Sequence, residues 1–257
     1  MKQLQVPHFT TCVAVDFAHW LEFQLAQRTW KQHRPEIWQN EMLVFVDAAP
    51  PPKGESAAWW RRKIERCCDH PKLKVIGWPD VPGATQRHRM LSAFVYGAAE
   101  HVKTEYLLKL DTDTLCLKSD NRWHQDWFDK KKNYCYVTSS WSYTRGVDMW
   151  QRLLEWAKTV PAFDGKPEVP GLIEPERNRV RHQRIISFFF LARMEFIRLA
   201  ASLHPGPLMP IESQDTFLFY VATRLGLPRG ACRIKKFGLH HGARGMEKRV
   251  RQILEAA

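Results

Sequence analysis

The chain has 257 residues, 44% of them hydrophobic and 26% charged. Ordinary globular usage on that length, at ~150 residues per domain, excludes disorder, collagen and coiled coil as descriptions of the whole. Thirty-nine Lys and Arg against 27 Asp and Glu leave a net charge of +12, which points to an anionic partner: nucleic acid, an anionic membrane surface or a phosphorylated substrate.

The first half alternates strand and helix signals. Thr11 to Val15 is a short β-branched run and reads as a buried strand. Ala18 to Lys31 carries apolar residues at helical spacing, and Met42 to Val46 is a second strand that ends at Asp47. The prolines and glycine of AAPPPKGES mark a loop. Ala57 to Cys68 reads as a helix, Leu73 to Ile76 as a strand, Ala84 to His101 as a long helix, and Tyr106 to Leu110 as a fourth strand. That strand runs into Asp111-Thr112-Asp113. Short strands that are apolar throughout, separated by helices, predict a mainly parallel α/β sheet covered on both faces. Ligands of such sheets sit beyond the carboxyl ends of the strands, where Asp16, Asp47, Asp111 and Asp113 all fall.

The second half is less regular. Tyr134 to Ser139 predicts a strand, Val147 to Lys158 a helix, and Pro161 to Pro175 a loop or flap. A basic run, Arg177 to Arg184, precedes a strand expected at Ile185 to Leu191 and a helix at Arg193 to Ser202. A last helix is expected at Asp215 to Leu225, after the turn PIESQ, and the basic tail from Lys235 is expected to end in a helix. No linker divides the chain, so one domain is expected over 1–257, with a regular half (1–117) and a less regular half (118–257).

Several chemistries lose their footing. The chain has no P-loop, no G-x-G-x-x-G, no H-E-x-x-H and no G-x-S-x-G. Its six cysteines form no C-x-x-C pair, and several lie in apolar runs, which predicts buried reduced thiols. No apolar run approaches the ~18–20 residues of a membrane span, and the N-terminus lacks a signal-peptide pattern, so a cytoplasmic protein is expected.

The sharpest motif is YLLKLDTDTLCL, residues 106 to 117. Residues i and i+2 of an extended chain face the same side, so Asp111 and Asp113 can converge on one divalent cation. Mg²⁺ or Mn²⁺ takes one or two carboxylates and completes its shell with water and phosphate oxygens. A D-x-D triplet alone is a weak signal, and its plain alternative is a turn rich in Asp and Thr.

In its context the triplet carries more. The order from Thr11 to Leu117, and within it RHRMLSAFVYGAAEHVKTEYLLKLDTD, resembles the GT-A nucleotide-sugar glycosyltransferases. The resemblance implies a metal at Asp111 and Asp113, with Thr112 between them in the donor site. It implies donor phosphates near Arg87 and Arg89. It assigns Val15, Asp16 and Phe17 to the nucleotide base, with Asp47 beside them. Aspartate accepts from an imide N–H such as that of uracil, which makes a UDP-sugar the first donor guess. The family's catalytic base at the start of a later helix matches Asp215, with Glu212 as the alternative because Gln214 stands where Glu is more usual. Its C-terminal metal-ligating histidine matches His240 or His241, with a slight lean to His240. The bland readings are a first-turn acid beside the helix dipole and an exposed histidine pair.

These assignments predict a metal-dependent, inverting transfer of a sugar to a hydroxyl acceptor. The basic clusters at Lys130–Lys132, at Arg177, Arg179, Arg181 and Arg184, and from Lys235 to Arg251 leave the acceptor open. Hydroxymethylated bases in DNA are one expectation, because phage-type DNA-base glycosyltransferases include GT-A-like members and Lys and Arg would neutralise phosphates. A lipopolysaccharide or capsule glycan, reached from an anionic membrane surface, is the second. A non-catalytic nucleic-acid-binding module with an incidental D-x-D is the alternative from another class. Trp59, Trp60 and Trp141 are the tryptophans expected nearest to loops, where they could stack on a sugar or base.

Overall fold

The apolar runs of the first half form strands that are buried almost throughout at Phe9–Val15, Glu41–Val46 and Tyr106–Leu110 and half-exposed in the edge strand Leu73–Gly77. The computed structural model describes residues 7–16, 19–46, 56–77, 86–117, 125–138, 140–185, 188–204, 206, 214–231 and 239–241. In chain order these give β1 (Phe9–Val15), α1 (Trp20–His33), α2 (Pro35–Gln39), β2 (Glu41–Val46), α3 (Ala57–Cys67) and β3 (Leu73–Gly77). Then come α4 (Gln86–Leu91), a π-helical turn at Ser92–Gly97, α5 (Ala98–His101), β4 (Tyr106–Leu110) and β5 (Thr114–Cys116). The second half adds β6 (Tyr136–Thr138), β7 (Ser140–Arg145), α6 (Val147–Lys158), β8 (Leu172–Glu174), β9 (Arg179–Ile185), β10 (Phe189–Arg193), α7 (Met194–Leu203), α8 (Gln214–Arg224), β11 (Arg229–Ala231) and β12 (Leu239–His241).

The main sheet has the order β11-β6-β10-β4-β1-β2-β3. β1 pairs in parallel with β2 and β4, and β2 with β3. β10 runs antiparallel to both β4 and β6, while β11 is parallel to β6. The sheet is therefore mixed and mainly parallel, with helices on both faces, as expected. Every residue of β1 is buried, which is why the strand reads as a continuous apolar run rather than an alternating one.

Two cores lie on the two sides of the sheet. One gathers Cys12, Leu43, Phe45, Phe94, Leu107 and Phe190 under the α4–α5 helix. The other gathers Val13, Val44, Trp30, Trp60, Leu108 and Leu110 under α1 and α3. The expected helix to His101 does run to that residue, but its middle is widened into the π turn. Gly97 closes that turn against the sheet. A Cβ there would lie 2.7 Å from the Phe45 ring, so only glycine lets the helix come this close.

The second half departs from the sequence expectations in three places. The strand expected at Ile185 to Leu191 is two strands: β9 ends at Ile185 and β10 begins at Phe189. The basic run before it, for which no element is expected, forms most of β9, which pairs antiparallel with β7 and β8. The segment expected as a loop to Pro175 contains a 3-10 turn at Pro161–Phe163 and the strand β8. β8 and β9 are too short or too polar in sequence to show the continuous apolar run that marks a strand covered on both faces. The helix expected near the C-terminus lies outside the described residues.

No helix among the described residues is long and apolar enough to cross a membrane. Of the described cysteines, Cys12, Cys68, Cys116 and Cys135 are buried and Cys67 is exposed, all free thiols. Burial raises the Cys12 thiol well above its ordinary value and pushes Cys116 up to about 12, as expected for inert core thiols.

Candidate active site

The parallel strands deliver their carboxyl ends to one rim. Val15 of β1 is in register with Val46 of β2, and Val46 with Gly77 of β3. β4 ends at Leu110, level with Val13, and the chain turns there through Asp111, Thr112 and Asp113. This turn is tightly pinned. The Asp111 N–H donates to the Phe188 carbonyl at 3.1 Å and to Thr114 Oγ1 at 3.2 Å. The Thr114 N–H returns to the Asp111 carbonyl at 3.1 Å, and Thr114 Oγ1 donates to the Phe188 carbonyl at 2.9 Å.

Helix α1 holds the far side of the turn. The buried Trp30 indole donates to the Thr114 carbonyl at 2.6 Å, and Thr29 Oγ1 accepts from the Cys116 N–H at 3.0 Å. Both carboxylates of the triplet stay partly open: Asp111 and Asp113 are half-buried, while Thr112 is buried. Asp111 Oδ1 is ion-paired with Lys109 Nζ, a residue that the sequence reading did not single out.

The C-terminal histidines come to the same place through the backbone. β12 pairs antiparallel with β5, setting His241 opposite Thr114 and His240 opposite Leu115. Their strand thus runs beside the residues that directly follow Asp113. Among the described residues no group of three or more His, Cys, Asp or Glu side chains forms a ready metal cage. The donors that the chain brings together are two carboxylates and, by register, an imidazole-bearing strand. That set fits Mg²⁺ or Mn²⁺, which keep part of their shell for water and phosphate oxygens.

The other predicted positions fall in several different settings. Asp16 lies at the end of β1, where its Oδ1 accepts from the His19 N–H at 3.0 Å and meets His19 Nδ1 at 2.5 Å. It therefore helps to start α1. Val15 is wholly buried in the core, so only its backbone can meet a nucleotide base. Arg89 is half-buried on α4, which packs against α8, and Arg87 is two residues before it on the same helix. Asp215 is in the first turn of α8, 2% exposed, with its Oδ1 accepting from the Thr216 N–H at 3.0 Å. Phe17, Asp47 and Glu212 lie outside the described residues.

The tryptophans correct one expectation. Trp60 is 1% exposed and packs edge-on against Trp20 with ring centroids 5.1 Å apart. It is core filler rather than a stacking platform, because the amphipathic helix α3 turns it towards the sheet. The basic clusters also take shape. On the β8–β9 ribbon, Glu174 gathers three guanidinium groups: Arg179, Arg181 at 3.0 Å and Arg177 at 3.8 Å. Hydrogen bonding from Arg179 holds the Glu174 carboxyl below its ordinary range. Three arginines around one carboxylate leave this ribbon positively charged.

With this geometry in place, the chain can be set against known structures. It superposes on the mannosyltransferase Ktr4p of S. cerevisiae with a TM-score of 0.59, at 11% identity, over 91% of this chain and 70% of that one. Core-mannan synthase A of Aspergillus fumigatus, in its Mn/GDP form, gives 0.58 at 10% identity over 92% and 75% of the two chains. Ktr4p in complex with GDP gives 0.57 at 10% identity over 94% and 76%. The fold is GT-A. No family model matches the sequence, and no curated protein does. At these identities the likeness is one of fold alone.

Proposed function

We propose that this GT-A chain is a metal-dependent glycosyltransferase that moves a sugar from a nucleotide-sugar to a hydroxyl acceptor. One observation carries the reading. The D-x-D turn stands on the carboxyl rim of the parallel strands, and the β5–β12 register brings His240 and His241 alongside it. Asp111, Asp113 and one of the two histidines would hold a divalent ion. When bound, that ion offsets the negative charge growing on a departing diphosphate.

The chain's own residues then have separate tasks. Arg89, with Arg87, would face the donor phosphates from α4. Backbone groups of Val15, Asp16 and Phe17 would receive the base, with Asp47 beside them. Asp215, or Glu212 just before α8, would take the proton of the acceptor hydroxyl, and a base opposite the leaving group gives inversion. Two of the structural neighbours, a core-mannan synthase and a mannosyltransferase, hold GDP, so GDP-sugars join the UDP-sugars as candidate donors. The charged β8–β9 ribbon favours an anionic acceptor, and hydroxymethylated DNA is the arm to try first.

The experiment is a panel. Purified protein is incubated with GDP- and UDP-sugars and Mn²⁺, alone and with plain DNA, hydroxymethylated DNA or glycan acceptors. Release of nucleoside diphosphate that EDTA abolishes is the expected result. A sugar mass added to a hydroxymethylated nucleoside identifies DNA as acceptor, while release without it moves the acceptor to a glycan or lipid. No release with any donor, together with donor-independent DNA binding, overturns the proposal in favour of a binding module.

A further inference from the structure

Lys109 is the fourth of the five residues of β4, all of them buried, and has no exposed side-chain surface. It is flanked in register by Cys12 on β1 and Phe190 on β10. Its Nζ lies 4.9 Å from the centre of the Phe94 ring, in the π turn of the helix above, and is ion-paired with Asp111 Oδ1. A cation is expensive in such surroundings unless it is paired. Apolar residues commonly replace a buried ion pair with no loss of stability or with a gain. Fold stability therefore gives little reason for a lysine here, and the D-x-D turn two residues on gives a direct one.

We propose that Lys109 is a built-in counter-cation of the D-x-D turn, a positioning residue that holds the Asp111 carboxylate and competes with the divalent ion for it. The inference rests on the reading of Asp111 and Asp113 as metal ligands. The electrostatics follow from the signs. Within the segment 109–113 the ammonium of Lys109 offsets one of the two carboxylate charges. A dication sharing the Asp111 carboxylate with the ammonium is repelled by it, strongly so where water is excluded. The bare protein should then bind the metal weakly, and the negative charge of a nucleoside diphosphate should restore the affinity. Metal and donor thus become coupled ligands, and Asp111 keeps one orientation while it waits for both. The π turn contributes the aromatic face on which the ammonium rests.

The test is Mn²⁺ binding to the full chain, by electron paramagnetic resonance of free Mn²⁺ or by calorimetry, with thermal melts as a check on folding. Lys109→Met should tighten Mn²⁺ binding about tenfold or more in the absence of nucleotide. Lys109→Arg, which keeps the charge, should stay near the parent. GDP or UDP should strengthen Mn²⁺ binding more in the parent than in Lys109→Met. Should Lys109→Met not fold, Lys109→Gln keeps a donor for Asp111 without the charge and carries the same expectation. A merely structural lysine predicts the opposite sign: a lower melting temperature and weaker binding. Unchanged or weaker Mn²⁺ binding in a folded charge-removing variant overturns the proposal. If the parent binds no Mn²⁺ with or without nucleotide, the metal reading falls first and this inference with it.

Discussion

Trp30 donates its indole N–H to the backbone carbonyl of Thr114 at 2.6 Å, across 84 positions of sequence. The bond ties α1, which starts beside the end of β1, to the strand that leaves the D-x-D turn. Both groups are buried, so the bond carries the cost of leaving Thr114 unpaired as well as its own net worth. Trp30→Phe should destabilise the protein by about 2–3 kcal/mol, combining that orphaned carbonyl with a small cavity. Each kcal/mol lowers Tm by about 2–4 °C in a chain of this size. A thermal melt measures the loss, and metal affinity measured on the folded variant reports whether the turn has loosened as well.

Asp113→Asn keeps the size of the side chain and removes one of the two carboxylates. Mn²⁺ affinity should fall by about 100-fold or more, because loss of a direct ligand exceeds the 10–100-fold cost of losing an outer partner. The thermal melt in the absence of metal should hardly move, since Asp113 is half-buried at the rim. His240→Ala should also weaken Mn²⁺ binding, because β12 sets that residue opposite Leu115, two positions beyond Asp113. Titration calorimetry on the two variants checks both.

Asp215→Asn separates chemistry from donor binding. A well-placed base contributes ~10²–10⁴-fold, so kcat should fall by about that factor while Mn²⁺ and nucleotide affinity stay near the parent. The anomeric configuration of the product, read by NMR, should be inverted relative to the donor. A small effect on kcat would move the base to Glu212.

Stability should also depend on pH through His70. Its Nε2–H donates to the Ile37 carbonyl at 3.0 Å, and its Nδ1 accepts from the Lys72 N–H at 3.1 Å. The ring is therefore neutral in the fold, and protonation at Nδ1 would break the second bond. Burial lowers its pKa below 6.5, so the unfolded chain binds more protons once the pH drops below that value. By linkage, stability is full above about pH 6.5 and declines as pH falls below it. Melts between pH 8 and pH 5.5 should show this decline, and His70→Gln should remove part of it.

Thiol chemistry offers a separate check on the core. Of the described cysteines, Cys67 is exposed, whereas burial pushes Cys68 up to about 11 and Cys135 up to about 12. Iodoacetamide at pH 8 should label Cys67 in the native protein well before Cys12, Cys68, Cys116 or Cys135, as peptide mass spectrometry would show. Early labelling of Cys12 would mean that β1 is less protected than the fold implies.

Local pattern alone determined the parallel half of this protein. The runs of β1, β2 and β4 were legible because a strand covered on both faces is apolar along nearly its whole length, and β3, half-exposed at the sheet edge, was legible from a shorter run. The D-x-D triplet was legible because parallel strands put their carboxyl ends on one rim, and Asp111 directly follows such an end. Tertiary structure decided the rest, since it depends on pairings between distant segments. The β5–β12 register joins residues more than 120 positions apart, and no local spacing encodes it. β7, β8 and β9 form one antiparallel sheet whose members are polar enough to read as loops and charge runs. In sequence Lys109 is one charge within an otherwise apolar run. Only the packed sheet, with Phe94 above it and Asp111 beside it, turns that charge into part of the site.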